Sequence, residues 1–152
     1  MLDFFPPLDP MPPIPVKWVA FKHPGSFGLD RHQHVHTGVD LYAPLGCPVR
    51  AMEAGRVVAI KNFTGPSVNM PWWEDTRAVY VEGKTGVFNY GEIQEWPGLK
   101  VGSVLNRGDF VGHVLCVLKK FKGRPMSIQI LGGSGELVIL NQNIFRTQHP
   151  FY

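Results

Sequence analysis

The sequence predicts an all-β domain with little helix. Three observations lead there. Glycine (17) and proline (14) are both abundant in a chain of 152 residues, a composition suited to many short strands and turns. Short apolar runs recur between clusters of turn residues. No stretch sustains apolar spacing at three and four residues, as a packed helix would require.

Taken in order, residues 1–16 read as an extended, polyproline-like arm, with prolines at 6, 7, 10, 12, 13 and 15. Its apolar residues, Phe4, Phe5, Leu8, Met11 and Ile14, would otherwise sit in water. The arm is therefore expected to lie along protein, either its own domain or a neighbouring subunit. Residues 17–152 read as the domain proper. Val49 to Ala51 and Arg56 to Ile60 flank a turn at Glu53-Ala54-Gly55. Arg77 to Glu82 and Val87 to Tyr90 flank Gly83-Lys84-Thr85-Gly86, a hairpin signal. Val111 to Leu118, Ser127 to Leu131 and Glu136 to Leu140 follow, the last two separated by Gly132-Gly133-Ser134-Gly135.

Hydrophobic residues make up 44% and charged residues 18%, so the chain can bury a core of ordinary size. A formal charge of +3 is too weak to argue for nucleic acid, though it suits a polymer of opposite sign. No run is long and apolar enough for a membrane span. The N-terminus does not read as a signal peptide, because Asp3 stands where a basic region belongs and prolines interrupt the apolar stretch. Cys47 and Cys116 could form one disulfide. Their apolar neighbours favour buried, reduced thiols.

The densest chemistry is His32-Gln33-His34-Val35-His36-Thr37-Gly38-Val39-Asp40. On an extended segment His32, His34 and His36 share one face. Asp40 follows Gly38, where the chain can bend, so His36 and Asp40 can converge on one metal. The competing reading is a polar, half-exposed strand whose histidines only titrate near neutrality.

Several separated motifs then fall in one order: Ser26-Phe27-Gly28, His36-Thr37-Gly38-Val39-Asp40-Leu41, Ala43-Pro44-Leu45-Gly46-Cys47-Pro48-Val49, and Ala54-Gly55-Arg56-Val57-Val58. Later come Lys100-Val101-Gly102-Ser103-Val104 and Gly108-Asp109-Phe110-Val111-Gly112-His113-Val114. Over residues 25 to 131 this resembles the lysostaphin-like zinc endopeptidases, which cut peptide cross-bridges of bacterial peptidoglycan. The resemblance implies an antiparallel β core with the site in a groove over one sheet. It implies zinc ligands at His36 and Asp40. The third ligand of that family, the second histidine of a late H-x-H, falls at Ser127 or Gln129 in Pro125-Met126-Ser127-Ile128-Gln129-Ile130, which holds no histidine. A further family histidine, in a Tyr-x-His-Leu segment, is replaced in Tyr90-Gly91-Glu92-Ile93.

A catalytic zinc uses three protein ligands and one open position for water. Two ligands alone imply zinc bound weakly or not at all. His34 does not complete the set on a regular strand, where its ring lies ~7 Å from that of His36. Glu92 is the one nearby group that could serve as general base or ligand; the plainer reading is a surface carboxylate at a strand end. Tyr90 either donates to an oxyanion or packs in the core. Trp72 and Trp73, in an insertion at residues 66–75, either stack on substrate sugars or fold back on the core. His113 falls where the family pattern has a structural residue.

Two functions compete. One is an active zinc endopeptidase with an altered site using Glu92. The other is a degenerate member of the family that engages peptidoglycan with weak or no hydrolysis, with a structural place in a phage particle and the arm docked on other subunits. A lysozyme-like glycosidase lacks a recognisable pair of carboxylates.

Overall fold

A computed structural model describes residues 4–9, 39–117 and 134–140. Eight strands form the described architecture: β1 (Val39–Pro44), β2 (Pro48–Arg50), β3 (Gly55–Thr64), β4 (Thr76–Gly83), β5 (Gly86–Glu95), β6 (Val104–Leu105), β7 (Phe110–Val114) and β8 (Ser134–Leu140). A single turn of 3-10 helix, Pro66–Val68, interrupts them. The strands run in the order β1-β8-β5-β4-β3-β6, and β7 joins β2 to β5. Every pairing is antiparallel. The all-β expectation thus holds.

Local chemistry accounts for the turns. Leu45 and Gly46 link β1 to β2, with the Cys47 amide donating to the Pro44 carbonyl at 3.0 Å. Gly46 sits at φ 81°, the left-handed value that the third position of such a turn demands. Lys84 and Thr85 form the two-residue link between β4 and β5, with Gly83 opposite Gly86. The Glu53 carboxylate steadies that link by accepting from the Thr85 amide at 2.9 Å and its hydroxyl at 2.8 Å.

The core gathers the inward residues of both branches, among them Val49, Val57, Val79, Val81, Phe88, Tyr90, Ile93, Val111 and Val114. Leu8 joins them at 1% exposure. The described part of the arm therefore packs on its own domain. The Phe5 amide donates to the Met52 carbonyl and the Arg50 amide to the Pro7 carbonyl, each at 2.9 Å. Phe4 meets Phe88 edge-on at 5.5 Å. Burying one leucine side chain contributes roughly 1.5–3 kcal/mol, to which the two backbone hydrogen bonds and the Phe4 contact add in offsetting the entropy of ordering the segment.

Several boundaries differ from expectation: β3 runs to Thr64 rather than Ile60, and β8 takes in Ser134 and Gly135 from the expected separator. Val39–Pro44 is a strand that the sequence reading did not mark. β5 does not stop at Tyr90 but runs on to Glu95, because a bulge at Gly91 and Glu92 absorbs the break. β7 ends at Val114 rather than Leu118, since the following backbone turns to other partners: the Leu115 amide donates to the Glu92 carbonyl, and the Val117 carbonyl accepts from the Glu74 amide. The expected strand Ser127 to Leu131 lies outside the described residues. Cys47 and Cys116 are free thiols, half-buried rather than buried.

Candidate functional site at a fork in the sheet

β5 has one partner on one side and two on the other. β4 lies along one edge from Gly86 to Ile93. On the other edge, Asn89, Tyr90 and Gly91 pair with β8, whereas Ile93, Gln94 and Glu95 pair with β7. The change of partner falls at Glu92. Register accounts for it: Val79 lies opposite Tyr90 and Arg77 opposite Ile93, so Gly91 and Glu92 together oppose Ala78 alone. The extra residue bends the strand and lets two branches diverge.

Glu92 itself sits at φ 60°. For a residue with a side chain that conformation costs roughly 1–2 kcal/mol, and such strain concentrates where surroundings impose it for a purpose. One of its carboxylate oxygens, Oε2, is shielded from solvent. Beside it Gly91 passes directly under the Phe63 ring; a Cβ there would lie 2.9 Å from Phe63 Cζ. Only glycine fits that approach.

The same register brings Asp40 into line. Val138 of β8 pairs with Asp40 on one side and with Gly91 on the other. Two strand spacings put their Cα atoms about 10 Å apart. Asp40 and the Tyr90-Gly91-Glu92-Ile93 segment thus belong to one part of the sheet. His36, Gly38, Ser127 and Gln129 lie outside the described residues.

Tyr90 has no exposed surface, and its hydroxyl accepts the Met52 amide at 2.8 Å. Burial raises its phenol far above the usual range, with the nearby Glu53 charge adding to the shift. It remains a neutral core residue, the packing alternative of the two considered. Trp72 is 61% exposed, whereas Trp73 is half-buried, so the tryptophan pair is split. His113, the one histidine among the described residues, stacks on Trp96 at 4.7 Å, and Trp96 stacks on Phe110 at 4.3 Å. A bulge at Val111 turns Phe110 and His113 to the same face. Nothing in the spacing of Trp96, Phe110 and His113 along the chain points to this stack, which the pairing of β5 with β7 creates.

Among the described residues, no three of His, Cys, Asp and Glu stand together in a way that could hold a metal ion. Asp40 and Glu92 offer carboxylates only. A catalytic zinc centre on this part of the sheet would draw its imidazoles from residues outside the described set.

No family model matches this chain, and no curated protein does. Among solved structures, the chain is similar to a Pseudomonas aeruginosa protein assigned to peptidase M23, with a TM-score of 0.54 and 21% identity over 95% of this chain. A zinc-containing peptidase from Vibrio cholerae aligns with a TM-score of 0.48 and 17% identity over 94% of this chain. The chain spans 50% of the length of the first and 33% of the second. The antiparallel fold is M23-like.

Proposed function

We propose that this chain is a peptidoglycan-directed module on an M23-like fold, in which zinc is weakly held or absent and hydrolysis is weak or lost. The observation that carries the reading is Glu92, which stands at the sheet fork in the slot where the resembling family has a histidine. Ser127 and Gln129, in place of the late histidine, add a second departure in the same direction. Neither a hydroxyl nor an amide replaces imidazole on zinc. Binding to intact sacculi, zinc content of the purified chain and muropeptide release test it together. Retention on sacculi with little zinc and little release is the expected result. Restoring histidine, by Ser127→His or Gln129→His, should raise both zinc content and release. Stoichiometric zinc with rapid release by the native chain would overturn it.

A second reading has its own support. The strained backbone and partly shielded carboxylate of Glu92 suit a general base better than a surface residue. In that case the chain is an active endopeptidase, and Glu92→Ala abolishes release while leaving the fold intact. The setting proposed for the degenerate module is a structural place in a phage particle, which co-purification with intact particles would test.

A further inference from the structure

We propose that the loop 65–75 is a saccharide-binding ledge, on which Trp72 stacks against an N-acetylhexosamine ring of the wall's glycan strand. This rests on the peptidoglycan-directed reading and adds to it the part of the polymer that is held. Four observations lead to it.

The ledge is built rather than loose. The Met70 amide donates to the Gly65 carbonyl at 3.0 Å and the Trp73 amide to the Met70 carbonyl at 3.1 Å. At its base the Thr64 hydroxyl donates to the Glu74 carbonyl at 2.8 Å, and the Thr64 and Thr76 hydroxyls meet at 2.6 Å in a buried contact. Ser67 reaches the Asp75 carboxylate at 3.3 Å. An aromatic ring on such a frame is ordered before any ligand arrives, which lowers the entropic cost of binding.

The ring faces outward. Trp72 is 61% exposed and the adjacent Met70 36%, while Trp73 turns partly inward to hold the tip. A flat, amphipathic, exposed ring matches the apolar face of a pyranose. It offers none of the backbone edge that an extended peptide would need. Exposed Ser67 and Asn69 bring a hydroxyl and an amide to the rim for sugar hydroxyl and acetamido groups.

Charge selects among wall polymers. Glu74 and Asp75 are exposed at this loop, and no basic residue lies in it. Like charge disfavours phosphate-rich or carboxylate-rich chains. Neutral hexosamine fits.

Position ties the ledge to the candidate site. The short segment from Leu115 to Val117 donates to the Glu92 carbonyl at 3.0 Å and accepts from the Glu74 amide at 2.8 Å. A glycan strand on Trp72 would be held beside the sheet fork.

The full chain should be titrated by tryptophan fluorescence with uncharged, peptide-free glycan strands (oligomers of N-acetylglucosamine, which carry no lactyl carboxylate) and, separately, with released stem peptides; a pull-down on intact sacculi runs alongside. The expected result is saturable binding of glycan strands, weakened about tenfold in Trp72→Ala and less in Trp72→Phe, with the thermal midpoint unchanged. Retention on sacculi without binding of glycan strands overturns the proposal and leaves the peptidoglycan reading intact. So does equal glycan binding by Trp72→Ala, or a Trp72-dependent response to stem peptides alone. Failure to be retained on sacculi overturns both.

Discussion

Asp40 and Gly91 occupy one row of the sheet, each paired with Val138 from opposite sides. The relationship depends on the register of β8. A slip of one residue in that strand would change every pairing of β8 and break the row. Packing at Gly91 and the bulge at Glu92 are therefore the places where the candidate site can be tested through stability alone.

Gly91→Val should destabilise the domain by about 1–3 kcal/mol, because the new side chain collides with the Phe63 ring. Urea denaturation measures this. The double variant with Phe63→Ala should recover part of the loss that the two single changes predict, since the residues touch.

At Glu92 two substitutions separate backbone from side chain. Both Glu92→Gly and Glu92→Ala remove the carboxylate, but only glycine relaxes at φ 60°. Glu92→Gly should be more stable than Glu92→Ala by roughly 1 kcal/mol. Equal stability of the two would mean that the left-handed conformation is absent in solution.

Tyr90→Phe should cost about 1–3 kcal/mol, since it strips the Met52 amide of its acceptor inside the core. The pH dependence has a definite sign. Folding raises the phenol pKa through burial, so above the unfolded value of about 10 the folded state binds the extra proton. The contribution is fully present below pH ~10 and declines as pH rises beyond it. Chemical denaturation on both sides of that pH should show the decline in the native chain and a shallower one in Tyr90→Phe.

Glu95 behaves oppositely. Burial alone would raise its pKa, but Arg77, through hydrogen bonds at 3.1 and 3.2 Å and its charge, holds it below the usual range. The stability it contributes is present above pH ~4.3 and is lost as pH falls through the lowered value. Both side chains are partly exposed, so Glu95→Gln should cost no more than about 1 kcal/mol at neutral pH.

Leu8→Ala should cost about 2–5 kcal/mol, the range for a fully buried leucine. A loss below about 0.5 kcal/mol would show that the arm leaves the core in solution.

Much of the fold could be read in advance where the signal was local. Gly83-Lys84-Thr85-Gly86 announced a hairpin, and the structure has one, with its link shortened to two residues because Gly83 and Gly86 themselves pair. What escaped was set by distant pairing. Gly91 reads as a strand end in isolation, yet β5 continues because β7 takes over from β8 two residues later. The left-handed residue is Glu92 and not the glycine before it, so composition pointed one position away from the strain. Trp72 and Trp73 are equivalent as letters, yet the first is exposed and the second half-buried. Residues 36, 127 and 129, on which the metal reading rests, lie outside the described set, and the sequence remains the source for them.

The pairing of β1 with β8 also sets a timetable. Asp40 and its neighbour Val138 are separated by about a hundred residues of chain. At a synthesis rate of ~5–20 residues per second, the first strand leaves the ribosome roughly 5–20 s before the last. Through that interval Val39–Pro44 lacks the strand that covers it in the finished sheet. Chains truncated before residue 134 and released should accordingly expose an uncapped, aggregation-prone ribbon that holdase chaperones can grip, whereas the released full chain should not.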